Sequence, residues 1–311
     1  TATSLETHED VINASKESEE ANRDVTDALF VYAPDIKITT TNFTDEKREA
    51  GSNYDINGDT FDVVWDQTIF DSGKNWADIS SARLKSTKAQ IELDQARNSH
   101  AIKAAEAYLD LIKASEKLAT ALEAEANTRV IQGQEEIRVE VGSGLASDEL
   151  KAKQKLAASQ KKVISSRKTF EKASYTFEDV FKVESVNVDD LRTPRLSKSV
   201  LSSVPSTMGA TVAAAMEGNM DLVLAKIDLQ IAENDVKASR ADFGPSISAQ
   251  AYQKHKTDNA ASGEHLYEEK VEFKLVQPLS GLITNLPGHR NKKSALNRSQ
   301  NDLNLEEDSV R

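Results

Sequence analysis

The chain has 311 residues, a net charge of -12, 38% hydrophobic and 29% charged residues, and no cysteine. Its 12 Gly and 6 Pro are few for that length, which favours a small number of long elements over a compact enzyme with many short loops. The absence of cysteine excludes disulfides and thiolate chemistry, and Lys and Arg mixed among Asp and Glu leave no basic footprint for nucleic acid.

Residues Thr1 to Asp10 contain no basic region followed by an apolar core, so a signal peptide is expected to be either absent or already removed. The longest wholly apolar run, Leu29 to Ala33, falls far short of the ~20 residues a spanning helix needs, so any membrane passage must use β-strands. A helix is expected over 5–33, because Val11, Ala14, Ser18, Ala21, Val25, Ala28 and Tyr32 are alternately three and four apart. Ala33-Pro34 ends it. The period then changes to two, giving strands over 35–44 and 60–70 with a polar loop between them. Ile36 and Ile38 alternate with polar residues in the first, and Phe61, Val63, Trp65, Gln67 and Ile69 in the second.

From 74 to 141 only Gly133 interrupts a helical pattern, about 100 Å of helix at 1.5 Å per residue. Ala101, Ala104, Tyr108, Leu111, Ser115, Leu118 and Leu122 form one seam. Ile102, Ala105, Leu109 and Ile112 form a second beside it, which implies neighbours on two sides. Gly142 to Ser147 is a helix-ending turn with Gly142 as left-handed stop and Ser147 as the next N-cap, followed by a return helix over 147–182. A connection over 191–210 contains Pro194 and Pro205.

At an offset of 211 the first frame repeats: Leu222, Ala225, Leu229, Ala232, Val236, Ser239 and Phe243 lead into Gly244-Pro245. This second unit, 211–311, is expected to hold a helix over 211–243, strands over 246–255 and 268–278, and the start of a long helix over 291–311. Gln67 and Gln277 are 210 apart, so the first unit, 1–190, and the second keep register through a whole hairpin.

Chemistry-bearing motifs are sparse. His8, His100, His255, His265 and His289 are scattered without the spacing of a metal or catalytic site. Asn53 to Asp59 has the first half of a calcium loop, but its twelfth position is Val64 where Glu is needed, and Asn57-Gly58 is read as a hairpin turn. Trp65 can sit in an interfacial aromatic girdle or in a core. The reading is of a protein that is not an enzyme and needs no cofactor.

These residues resemble the TolC-type outer-membrane efflux channel family. The resemblance rests on helix, proline and strand in both units, on Gln67 to Gly73 and Gln277 to Gly281 at the strand-to-helix joints, on Ala107 to Leu111 in the long helix, and on Val141 to Leu150 at the tip. It implies a mainly α protein with β: long antiparallel coiled-coil helices forming an α-barrel, and four strands per chain in a trimeric twelve-stranded transmembrane β-barrel. It further implies a homotrimer in the outer membrane of a Gram-negative bacterium, with the helices in the periplasm and lipid around the barrel. Such a duct passes small molecules or proteins for an efflux pump or type I secretion system, with a periplasmic adaptor and an inner-membrane transporter as partners. In the family the adaptor meets the helical tips, carried over here to Val141, Gly142, Ser143, Gly144 and Leu145; without that partner the same residues are a helix-ending turn. About a hundred residues after Leu305 would be needed for the second unit to match Gln95 to Val183, so the chain is expected to be truncated at its C-terminus. The alternative is a soluble coiled-coil periplasmic interaction or adaptor protein whose alternating runs form a small sheet.

Overall fold

The computed structural model describes residues 8–49, 52–184, 187, 191–192, 205–258, 265–279 and 281–311. In chain order they form α1 (Glu9–Phe30), β1 (Asp35–Glu49), β2 (Ser52–Phe70), α2 (Lys74–Glu140), α3 (Ala146–Phe181), α4 (Met208–Gly218), α5 (Met220–Ala241), β3 (Ser246–Asp258), β4 (His265–Val276), the one-turn α6 (Gly281–Thr284) and α7 (Leu286–Val310). Two compact units result, Thr1–Ser15 with Glu92–Pro205, and Lys16–Ile91 with Ser206–Arg311, so α1 and α2 take part in both.

The first unit is helical. Ala107, Leu111, Ala114 and Ala121 of α2 are buried at three-four spacing, as are Ala152, Val163 and Phe177 of α3 and Val11 of α1. The Thr128 and Ser159 hydroxyls meet at 2.7 Å, and the Phe177 ring lies 6.3 Å from Tyr108 and 4.3 Å from Phe181. The Tyr108 phenol donates to the Arg192 carbonyl at 2.7 Å and accepts the Arg192 N–H at 3.0 Å. Small Ala and Ser side chains along the seam let these helices approach closely. The buried row coincides with neither expected seam: it shares Leu111 with the first, whose Ala101 and Leu122 are exposed, and Ile102 and Leu109 of the second are exposed too, because one chain supplies α2 with cover on one arc only.

The second unit holds a sheet in the order β1-β2-β3-β4, antiparallel throughout, with a bulge between Thr68 and Phe70. Its helices bury Ala77, Ile79, Leu222, Ile227, Ala232, Val236 and Leu303. Several expected bounds move. The polar loop expected between 44 and 60 is largely strand, since β1 runs to Glu49 and β2 starts at Ser52. Polar residues on both faces hide a strand from any reading based on alternation, yet its ladder is satisfied by pairing alone. Asn57-Gly58 is therefore no turn: Asn57 pairs with Thr44 and Gly58 with Phe43. A Cβ at Gly58 would lie 2.3 Å from the Thr257 carbonyl oxygen and 2.7 Å from the Phe43 ring, so that ring occupies the space a side chain would need.

The single helix expected over 211–243 is two, because the Asn219 side-chain oxygen accepts the N–H groups of Asp221 at 2.8 Å and Leu222 at 3.2 Å and so starts α5 afresh. The last helix begins at Leu286 instead of 291, with Pro287 in its first turn where no N–H is required. β3 and β4 likewise differ from 246–255 and 268–278 by a few residues at their ends. Residues 5–7 of the expected first helix and most of the connection over 191–210 lie outside the described residues.

Candidate functional site

Directly opposed residues of an antiparallel ladder share a face. Along one row Ile36 pairs with Trp65, Trp65 with Ala251 and Ala251 with Val271; the next rows bring together Ile38, Val63, Phe61, Ala249, Phe273, Ile247 and Leu275. Near the strand ends that join helices this face is apolar, and much of it is open, with Val271 71% and Phe273 74% exposed; farther along it carries Gln253 and Glu269 in the row of Val63, and His255 and Tyr267 in the row of Phe61. Along β2 the apolar row from Phe61 to Ile69 spans about 26 Å at the usual strand rise, close to the height of a barrel's lipid band. Trp65 sits in the middle of it. Of the polar run Thr39 to Asn42, Thr39 and Thr41 lie on the opposite face, whereas Thr40, opposite Phe61, and Asn42 lie on this one and end the apolar row of β1 at Ile38.

The other face is charged. Asp35, Asp62, Asp66, Glu268 and Glu272 are interspersed there with Lys37, Lys254, Lys256, Lys270 and Lys274. Tyr252 donates to Glu268 at 2.6 Å, Gln250 donates to Asp66 at 3.2 Å, Lys270 pairs with Glu272 at 2.6 Å, and the Lys256 ammonium stands 4.7 Å from the centre of the Phe43 ring. The acidic balance of the whole chain is not carried onto this surface.

At the two joints between helix and strand one interaction recurs. The Gln67 amide donates to the Tyr32 carbonyl at 2.9 Å, and the Gln277 amide donates to the Phe243 carbonyl at 3.0 Å. Each ties the strand's end to the end of the helix before the proline. At the first joint Ser72 and Gly73 have φ of 58° and 87°, and the Asp71 carboxylate accepts the N–H groups of Gly73 at 3.1 Å and Asn75 at 2.7 Å, capping α2. The Ser72 hydroxyl donates to the Pro245 carbonyl at 2.7 Å.

Along α5 and just past its end, Asp221, Asp228, Asp235 and Asp242 recur every seventh residue, a charged stripe overlooked in reading the sequence for apolar periodicity. Lys88 pairs with Asp228 at 2.6 Å, Lys292 with Asp235 at 2.6 Å and Lys74 with Asp242 at 2.8 Å. The hydrogen bond to Asp242 raises the Lys74 pKa above its ordinary value. Burial, helped by the neighbouring Asp235, Asp71 and Asp242, pushes the Asp78 carboxyl up.

At the tip of the helical hairpin Gly142 has φ 76°; its N–H donates to the Val139 carbonyl at 3.0 Å, and the Ser143 N–H to that of Arg138 at 2.9 Å. A Cβ at Gly144 would lie 3.0 Å from the Arg138 and Val139 backbone. Ser147 is not the cap: Leu145 holds that position without a side-chain hydrogen bond, leaving Asp148 and Glu149 in the first turn to face the helix dipole. Val141 and Leu145 are exposed on either side of the turn. A cleft beside them is lined by Ile131, Glu135, Arg138, Asp148, Lys151 and Lys155.

His8 and His100, 92 positions apart, lie with ring centroids 4.3 Å apart at a 34° tilt and His100 buried, a pairing no local spacing could announce. His289 meets the Ser239 hydroxyl at 2.8 Å. Asn53 to Asp59 lies along β2 and encloses nothing, and among the described residues no group of His, Asp and Glu could hold a metal ion.

A family model described as outer membrane efflux protein matches residues 3–176. Among solved structures the fold is similar to the outer membrane protein VceC of Vibrio cholerae, with a TM-score of 0.80 at 14% identity over 99% of this chain and 74% of that one. It is similar also to the open state of the Neisseria gonorrhoeae MtrE outer membrane channel (TM-score 0.76, 16% identity, 99% of this chain and 68% of that one) and to the outer-membrane channel OprN (TM-score 0.81, 18% identity, 97% and 68%). No curated protein matches.

Proposed function

The chain belongs to the outer membrane efflux protein family, and from that membership we propose that three copies close their sheets into one barrel of twelve strands. The protein is an outer-membrane efflux channel with its helices in the periplasm. A soluble interaction protein, the other reading, gives no reason for an open apolar sheet face.

The observation that carries closure is the sheet itself. It has an exposed, mainly apolar face fit for lipid, a charged face fit for a wet lumen, and two edges, β1 and β4, with no strand paired to their outer sides among the described residues. In hydrocarbon an open edge leaves backbone groups unsatisfied at several kcal/mol each, and closing the ring removes it. Trp65 then faces lipid from within the apolar row. The exposed seam of Ile102 and Leu109 is covered by the helices of a neighbouring copy. The shared glutamine clamps support reading the chain as two structural repeats.

The role is passage, without catalysis or cofactor. Cargo leaves by this duct for an inner-membrane transporter joined through a periplasmic adaptor, which docks at Val141, Gly142, Ser143, Gly144 and Leu145. Light scattering of the detergent-extracted particle, with detergent subtracted, should give three chains; a monomer that needs no detergent would overturn closure. Bulky charged residues at Gly142 and Leu145 should weaken adaptor binding, and unchanged binding would remove the tip from the docking surface.

A further inference from the structure

The chain-wide mixing of charges breaks down along α3. From Leu150 to Phe170 there are six Lys and one Arg and neither Asp nor Glu, although the whole chain carries -12. Part of this run meets α2 across a groove. Two cavities of the first unit, of about 250 and 640 Å³, share Lys113, Lys117 and Thr169 and so form one trough. It follows α2 from Ala107 to Ala121, about 21 Å at the helical rise, with Lys172 in one cavity and Lys162 in the other. Other cations of these helices are neutralised in place: Arg129 pairs with Glu125 and Lys153 with Glu149, both at 2.6 Å, and Arg138 with Glu135 at 2.9 Å. Among the described residues Lys113, Lys117, Lys162 and Lys172 have no such partner. Asp110 and Glu116 are the two acids on the trough, so four lysines leave it net positive.

The lining decides what the trough takes. It contains no large apolar residue, and Ala107, Ala114 and Ala121 are already buried within the first unit, so the aromatic or aliphatic anchors of a protein partner find no pocket. Thr120, Thr169 and Thr176 each donate their hydroxyl proton to the carbonyl four residues back, which leaves oxygen lone pairs for a ligand's O–H and N–H groups. Lysine is a point charge on a flexible stem, suited to carboxylates that arrive at no fixed angle. These features together fit a polar chain that carries carboxylates among hydroxyl and amide groups.

We propose that this trough binds the carboxylate-bearing peptide stems of the cell-wall glycopeptide, the anionic polymer that a duct through the periplasm must cross. The contact is electrostatic and therefore weakened by salt. The proposal rests on the periplasmic placement of the helices.

The test sediments the detergent-extracted full chain with purified cell-wall sacculi, native or with their carboxyls converted to amides, at low and high salt. The parent is expected to sediment with native sacculi at low salt, to be released at high salt and to ignore the amidated ones. Lys113→Glu with Lys162→Glu should weaken binding about tenfold, a few-fold for each exposed charge. Lys293→Glu with Arg298→Glu changes the net charge equally on α7 and should leave binding unchanged. Equal loss in both double variants would reduce the effect to net charge, and equal sedimentation with amidated sacculi would remove carboxylate recognition; either overturns the proposal. Lysine acetylation tells this ligand from a second copy of the chain. Lys113, Lys117, Lys162 and Lys172 should react in the bare particle and be protected by sacculi, while Lys293 reacts in both; failure to react in the bare particle would put another copy over the trough and overturn the proposal. The particle's mass separates the two readings. Three chains that do not sediment with sacculi overturn the trough alone, and a monomer that needs no detergent overturns the channel reading and the trough's place beside the wall with it.

Discussion

The sheet and the helical hairpin place their large apolar residues in opposite ways. In the hairpin Leu111, Val163 and Phe177 are buried in a seam lined with small residues, whereas in the sheet Val271, Phe273 and Leu275 stand open on the surface. A single chemistry serves both. Apolar groups leave water in each case, but in the periplasm other helices are the apolar phase, and in the barrel that phase is lipid. The hairpin therefore owes its stability to its own packing, and the sheet owes part of its stability to the medium.

The comparison is tested most severely by Leu111→Ala, which leaves a cavity in the tight seam and should cost about 3 to 5 kcal/mol in urea unfolding. A loss under 1 kcal/mol would mean that the seam is loosely packed. Phe273→Arg should cost about 2 to 4 kcal/mol in bilayers, where its neighbours are acyl chains. Equal stability of that variant and the parent would put the face in water. Gln67→Ala removes one clamp between strand and helix and should cost about 1 kcal/mol, as should Gln277→Ala; unequal losses would show that the two joints are not mechanically equivalent.

The smallest effect belongs to Asp78. A carboxyl whose folded pKa is raised is disfavoured when ionised, so the penalty is present at neutral pH and disappears as pH falls through its folded value. Since the side chain is largely exposed, solvent screening leaves only about a few tenths of a kcal/mol. Asp78→Asn should raise the thermal midpoint slightly at pH 7, with the gain shrinking toward the ordinary aspartate range; a gain that grows on acidification would reverse the sign of the argument.

Much of this architecture is legible in the amino-acid order because helix and strand leave different periods. The three-four spacing from Val11 to Tyr32, the switch after Pro34 and the matched Gln67 and Gln277 depend on local pattern alone. What escapes is polar or distant. Residues 45–49 and 52–59 are strand where most positions on both faces are polar, so no alternation marks them. The aspartates at every seventh position are visible in the sequence, but charge at helical spacing says nothing of its partners until Lys74, Lys88 and Lys292 are brought near. His8 with His100 is a matter of tertiary placement. At the tip, Gly142 announces its left-handed turn plainly, whereas Leu145 takes a cap position for which Ser147 looked chemically better suited.

The order of strands also dictates an order of assembly. β1 with β2, and β3 with β4, are neighbours in the chain and can pair as soon as each hairpin exists. The β2–β3 ladder is different: Phe61 opposes His255 only after the whole helical hairpin has been made. Closing a loop of that size costs about 5 kcal/mol of chain entropy before any contact returns it. Two local hairpins form first, and their joining is the slow step of biogenesis. Until then each hairpin carries an additional bare edge, which makes this interval the one in which the chain most needs a chaperone's protection from mispairing.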